Sequence, residues 1–191
     1  ILLGLVGSEM CIRDSYQGHR LTYLGMRFVI YTFVRTSELR LAEWKEFELK
    51  SANPVWTIPA KRMKMRREHL VPLSKQAVQI LQQVAEISGG ERLVFPSQNN
   101  PNKPMSENTL LFAIYRMGYH SRATTHGFRS VASTILNESE KWHPDAVERQ
   151  LAHVESNKVR AAYDRAEHLP ERRKMMQWWA DYLDNLLQPA D

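Results

Sequence analysis

The strongest constraint on the fold is a hydrophobic period that changes twice along the chain. Leu21, Leu24, Phe28, Tyr31 and Val34 recur at three- and four-residue steps, the spacing of a largely buried helix. The step then shortens to two. Phe47 and Leu49 alternate with Glu46, Glu48 and Lys50, a second β-prone run covers Val55, Trp56, Thr57 and Ile58, and a third runs from His69 to Leu73. Asn53-Pro54 and the stretch from Pro59 to Arg67 supply the turns. Helical spacing returns at Ser74 and persists. This order predicts one mostly helical, α+β domain with a small three-stranded antiparallel sheet inserted early.

Local signals place the elements. Thr36 or Ser37 is expected to cap a short helix carrying Leu39, Leu41, Ala42 and Trp44. Ser74 to Ser88 puts Ala77, Ile80, Leu81 and Val84 on one face, and Gly89-Gly90 ends it. Val94, Phe95 and Pro96 lead into a polar loop from Ser97 to Pro104. Ser106 is expected to cap a helix with Leu110, Leu111, Ile114 and Met117, and Thr125 to Leu136 forms the next. His143-Pro144-Asp145 reads as a helix start with proline at the first helical position, running to about Ala152. Ser156 caps another, and Pro170 opens the last, to about Leu187. That last helix carries a broad apolar stripe: Met175, Met176, Trp179, Tyr182, Leu183, Leu186 and Leu187, with Trp178 adjacent.

Composition narrows the class. The chain has 191 residues, with 26 Lys+Arg against 21 Asp+Glu, a net charge of +5. At 43% hydrophobic and 25% charged it is neither disordered nor coiled coil. Cys11 is the lone cysteine, which excludes an intrachain disulfide and a Cys-based zinc site and fits a reducing cytosol. No stretch approaches the ~20 apolar residues that span a bilayer. Residues 1–15 start with a short apolar run, Ile1 to Gly7, and then lose any clear period. They are expected to be a leader foreign to the domain at 16–191, with a frayed N-terminal helix as the alternative.

The candidate functional residues sit at helix starts and loops. Arg35 follows a run of apolar residues and precedes a helix, with Glu38 near enough to pair with it. Lys61, Arg62, Lys64, Arg66 and Arg67 place five positive charges within seven residues in a turn between strands, suited to solvent or to a DNA backbone. His126 and Arg129 share a face at a helix start, where an anion is favoured. His153 and Tyr163 lie on or near two consecutive short helices. No histidine pair has His-x-x-x-His spacing, so no metal site is expected, and no P-loop, Gly-x-Gly-x-x-Gly or Gly-x-Ser-x-Gly motif occurs.

Five segments together resemble the tyrosine recombinases, in particular the prophage and genomic-island integrase branch. They are Thr32 to Arg40 (leading to Trp44), Arg62 to Ser74, Thr125 to Arg129, Leu151 to His153 and Ala161 to Arg165. The resemblance runs from Tyr16 to about Leu187. It implies the catalytic-domain fold of that family, a helical bundle with a small sheet. Its catalytic set falls on Arg35, Lys64, His126, Arg129, His153 and Tyr163, none of them substituted.

The resemblance also implies a mechanism. Tyr163 attacks a DNA phosphorus and forms a 3′-phosphotyrosyl link. His126 accepts the phenolic proton, Arg35 and Arg129 hold the non-bridging oxygens, His153 adds a hydrogen bond, and Lys64 protonates the leaving 5′ oxygen. No cofactor, metal or ATP is implied. Arg62, Arg66, Arg67 and Arg122 are expected to contact DNA phosphates, with solvated surface charge as the alternative. The implied partners are double-stranded attachment-site DNA, a homo-tetramer on that DNA, an excisionase and DNA-bending proteins, in the cytoplasm at the nucleoid and with no membrane. The terminal helix either packs on its own domain or docks on a neighbouring protomer. The arm-binding and core-binding domains of complete members are expected to be absent. Two other readings stay open: a catalytically inactive DNA-binding remnant and a type IB topoisomerase-like enzyme.

Overall fold

A computed structural model describes residues 16–63, 66–153 and 168–186. Its centre is helix α1 (Arg20–Thr32), buried almost all round, as expected of a helix apolar on every face. His19 caps its start, with Nδ1 accepting from the Leu21 N–H. Its end is abrupt. Phe33 takes the left-handed conformation, φ 40°, and its N–H donates to the Val29 carbonyl. A non-glycine residue pays about 1–2 kcal/mol for this. Phe33 is held there by burial and by an edge-to-face contact with Trp179, 6.1 Å between ring centres.

Helix α2 (Thr36–Arg40) follows directly. Neither Thr36 nor Ser37 caps it, contrary to expectation. Arg35 occupies the cap position, and its backbone N–H donates to Glu38 Oε2 at 2.8 Å. Glu38, at the third helical position, supplies the half of a capping box that reaches back to the N–H of the cap residue.

The expected sheet is present. Strands β1 (Phe47–Glu48), β2 (Val55–Ile58) and β3 (His69–Pro72) pair antiparallel in that order, with Trp56 opposite Phe47 and Val71, and Ile58 opposite His69. Trp56, Ile58, Val71 and His69 face inward. Phe47 stacks on Trp56 at 5.0 Å.

Helix α3 (Lys75–Ser88) begins at Ser74, whose Oγ accepts from the Ala77 N–H, and ends at Gly89 with φ 73°. The polar stretch after Phe95 is more ordered than expected. Strands β4 (Pro96–Ser97) and β5 (Asn100–Pro104) form a two-stranded hairpin, closed at its base by buried Phe95 and Met105. Its prolines suit an edge, where the missing N–H faces solvent. The next helix also starts later than expected. Ser106 lies in a turn, and α4 (Thr109–Ile114) begins three residues on, then widens into a π-turn over Tyr115–Tyr119 that breaks at Gly118, φ 87°.

Helix α5 (Thr125–Glu138) is capped by Thr124 Oγ1, which accepts from the Gly127 N–H. Helix α6 (Pro144–Gln150) has His143 as cap and Pro144 in the first position, as expected. The terminal helix α7 (Leu169–Leu186) packs on its own domain. Met175, Met176, Trp179, Ala180 and Leu183 are buried, and the Trp179 indole donates to the Ile30 carbonyl at 3.0 Å. Gln76 of α3 donates to Asp181 and Asp184 of α7, closing the edge of that seam. Residues 1–15, the helix expected from Ser156 and Leu187 lie outside the described residues.

Candidate active site

Two arginines far apart in sequence meet at backbone carbonyls. Arg129, in the first turns of α5, is 4% exposed. Its guanidinium donates to the Phe33 carbonyl and, at 2.6 Å, to the Leu151 carbonyl. The left-handed turn at Phe33 is what aims that first carbonyl away from α1. Arg35 emerges two residues later, donates to Glu38 Oε1 at 2.7 Å and reaches the Ala152 carbonyl at 3.2 Å. Leu151 and Ala152 thus form a shelf at the end of α6 that orients both guanidiniums. Ala152 has φ 49°, the conformation that presents its carbonyl to Arg35.

A guanidinium has five N–H groups, and each arginine commits two side-chain nitrogens to protein acceptors. Burial pushes the Arg129 guanidinium down to about 10, the Arg35 charge pushes the same way, and Glu38 offsets part of it. Arg129 therefore stays a cation at neutral pH. A second tie closes the site, from Thr36 Oγ1 to Thr125 Oγ1 at 3.0 Å. His126 follows Thr125, exposed, on the open N-terminal turn of α5. His153 follows Ala152, and its Nδ1 lies 2.8 Å from Glu148 Oε2.

Four of the six expected residues therefore converge on one corner: Arg35, His126, Arg129 and His153. Lys64 and Tyr163 lie outside the described residues. The segments that flank them are placed. Met63 is buried before position 64, and the described residues resume at His168, just before α7.

The basic residues expected on DNA divide into two groups. Arg66, Arg67 and Arg122 are exposed, and Arg122 lies over the Tyr119 ring at 5.9 Å. Arg62 is not presented to solvent. It donates to the Leu41 carbonyl and pairs with Glu46, whose side chain is 5% exposed and also accepts from the Trp56 indole. The geometry gives Arg62 a structural place beneath the sheet rather than the expected place on a phosphate.

Sequence reasoning missed a buried layer under the site. Arg172 of α7 is fully buried and donates to the Leu70 carbonyl and to Gln150 Oε1, from Nε at 3.0 Å and from a terminal nitrogen at 2.8 Å. His69 of β3, 5% exposed, bonds the Gln150 backbone. Burial and then the charges of Arg172, Arg149 and Arg35 push its imidazole down to about 3, so the ring is neutral. This layer ties β3, which follows the basic turn, to α6 and to the start of α7. One signal pointed to it. Arg172 falls on the same helical face as Met175, Met176 and Trp179, where a charge is out of place.

Among the described residues no three His, Cys, Asp or Glu side chains are placed to hold a metal ion, and no helix is long and apolar enough to cross a membrane. A cleft of about 680 Å³ opens between the start of α1, the β4–β5 hairpin and α4, and none of Arg35, His126, Arg129 and His153 lines it.

Comparison with known proteins bears on this corner. The model of the phage integrase family matches residues 11–168. An integrase of Enterobacteria phage P4 is 48% identical over 185 residues, covering 89% of this chain and 42% of that protein. The prophage integrase IntA of Escherichia coli K12 is 47% identical over 162 residues, 85% of this chain and 38% of its own length. An integrase of Shigella phage Sf6 is 40% identical over 171 residues, 89% of this chain and 44% of its own. The chain spans less than half the length of these curated relatives. Among solved structures, an integrase from mycobacterium phage Brujita matches with a TM-score of 0.64 at 15% identity, over 97% of this chain and 62% of that one, a likeness of fold.

Proposed function

The chain belongs to the phage integrase family, and from that premise we propose that it is the catalytic domain of a tyrosine site-specific recombinase, acting in integration and excision of mobile DNA. The observation that carries the reading is the convergence of Arg35 and Arg129 on the Leu151–Ala152 shelf, beside His126 and His153. Two fixed guanidiniums side by side suit a phosphodiester, whose charge spreads over its non-bridging oxygens in the transition state.

In the proposed reaction the Tyr163 oxygen attacks phosphorus, the new O–P bond forms, and the bond to the 5′ oxygen breaks. A phenol of pKa ~10 must lose its proton on the way, and His126, exposed on an open helix start, accepts it. Lys64 gives a proton to the departing 5′ oxygen. His153 donates to a non-bridging oxygen. The phosphotyrosyl link keeps the energy of the broken phosphodiester, so a 5′ hydroxyl of another strand rejoins the DNA without ATP. The charge that a metal ion might supply is provided by Arg35, Arg129 and Lys64. Arg66, Arg67 and Arg122 contribute phosphate contacts. The wider assembly belongs to the same reading: attachment-site duplex, a tetramer on DNA, an excisionase and DNA-bending proteins, at the nucleoid of a bacterial cell.

A covalent trap tests it. A duplex nicked so that the short 5′ fragment diffuses away should yield a gel-shifted protein–DNA adduct with the wild-type chain and none with Tyr163→Phe. Absence of any adduct on attachment-site DNA with the fold intact supports the inactive remnant. Rapid supercoil relaxation without strand exchange supports the topoisomerase.

A further inference from the structure

The turn that carries His153 folds back on α6. The His153 N–H donates to the Glu148 carbonyl at 3.1 Å, and the Glu148 carboxylate lies 2.8 Å from His153 Nδ1. The two side chains are 45% and 51% exposed, so burial does not force them together. An ionised carboxylate only accepts hydrogen bonds, so the shared proton belongs to Nδ1. In a neutral ring Nε2 is then an acceptor, which cannot help a phosphate oxygen. A ring that takes a second proton keeps Nδ1–H on Glu148 and offers Nε2–H as a donor. One carboxylate therefore aims the ring and balances the form of it that can donate.

Among the described residues, the other charges around this turn do not replace it. Arg149 lies beside Glu148 on α6, Arg35 reaches the Ala152 carbonyl and Arg129 the Leu151 carbonyl, all three positive. Glu38, the carboxylate of α2, is engaged by Arg35.

We propose that Glu148 is a positioning residue that holds the Nδ1–H of His153 and so turns the Nε2–H of the doubly protonated ring toward the scissile phosphate. This rests on the reading of His153 as a phosphate donor. The test has two readouts. Nitrogen chemical shifts of isotope-labelled histidine should place the proton of neutral His153 on Nδ1 in the wild type. They should show it moving to Nε2 in Glu148→Ala, while Glu148→Gln, which keeps an accepting oxygen, retains the wild-type tautomer. Cleavage of a nicked suicide duplex should slow about 10- to 100-fold in Glu148→Ala, the range known for losing the hydrogen-bond partner that orients a metal-ligating histidine. In a His153→Ala background, Glu148→Ala should cost nothing more, because the two act as one unit. An unchanged tautomer in Glu148→Ala, or equal slowing in both backgrounds, overturns the proposal. Loss of cleavage in His153→Ala but not in Glu148→Ala overturns the role of Glu148 alone. Full cleavage by His153→Ala overturns the donor role and this inference with it.

Discussion

Replacing Arg129 by lysine separates charge from geometry at the centre of the site. The guanidinium spans two carbonyls, Phe33 and Leu151. A lysine head is a point donor and cannot keep both. Leaving one buried carbonyl unpaired costs about 1–3 kcal/mol of stability. Losing the second preorganised donor on the phosphate costs roughly 10²- to 10³-fold in cleavage rate. The variant should also acquire a pH dependence that the wild type lacks. Arg129 sits at about 10, under burial and the Arg35 charge, and is fully charged at neutral pH. A lysine starts lower, at ~10.4 rather than above 12, so the same surroundings bring its titration toward neutral pH. The charged form is the acid form, so its residual activity is kept on the acid side and lost as pH rises. Single-turnover cleavage of a suicide duplex, measured from about pH 6 to about pH 9, reads both effects. A rate within about threefold of wild type, or a profile that simply parallels wild type, refutes the argument.

Other consequences follow from the same geometry. Arg62→Ala strands buried Glu46 and should destabilise the domain by about 3–5 kcal/mol in urea unfolding. Arg66→Ala, Arg67→Ala and Arg122→Ala should leave stability nearly unchanged and each lower the salt slope of DNA binding by about one. His69, with an ordinary value of 6.5, is held near 3 when folded. The unfolded chain therefore takes up a proton below about 6.5 that the folded chain refuses. Stability attributable to this group falls as pH drops, by about 2 kcal/mol between pH 6.5 and pH 5. His69→Leu should show a correspondingly shallower acid dependence of its urea midpoint. Ala152, at φ 49°, should accept glycine with little or no loss of melting temperature, whereas Ala152→Val, β-branched in the left-handed region, should lose about 1–3 kcal/mol.

Much of the fold is legible in local sequence because local rules set it. The spacing of Leu21 to Val34 finds the central helix, Ser74 and Gly89 bound α3, and His143-Pro144 opens α6. What escapes is set by partners distant in the chain. The β4–β5 hairpin has no alternating apolar pattern, because Pro96 to Pro104 is held at its base by Phe95 and Met105 rather than by its own strands. Arg62 looks like every other charge in a basic turn until Glu46 is found beneath it. Arg35 takes the cap position without a hydroxyl, its N–H held by Glu38, so hydroxyl rules point to the wrong residue. In the site, motif order names the arginines, but the shelf that aims them is made of main-chain carbonyls. A carbonyl has no signature in sequence, and the left-handed turns at Phe33 and Ala152 that expose two of them occur at residues with no preference for that conformation.

The central claim is that one tyrosine becomes covalently joined to a DNA 3′ phosphate. Digesting the trapped adduct with trypsin and weighing the nucleotide-bearing peptide tests that at one residue. Cleavage after Arg160 and Arg165 releases Ala161 to Arg165, Ala-Ala-Tyr-Asp-Arg. The expected result is a nucleotide on this peptide through its tyrosine, joined at a 3′ phosphate. Attachment at any other residue, or to a 5′ phosphate, contradicts the account.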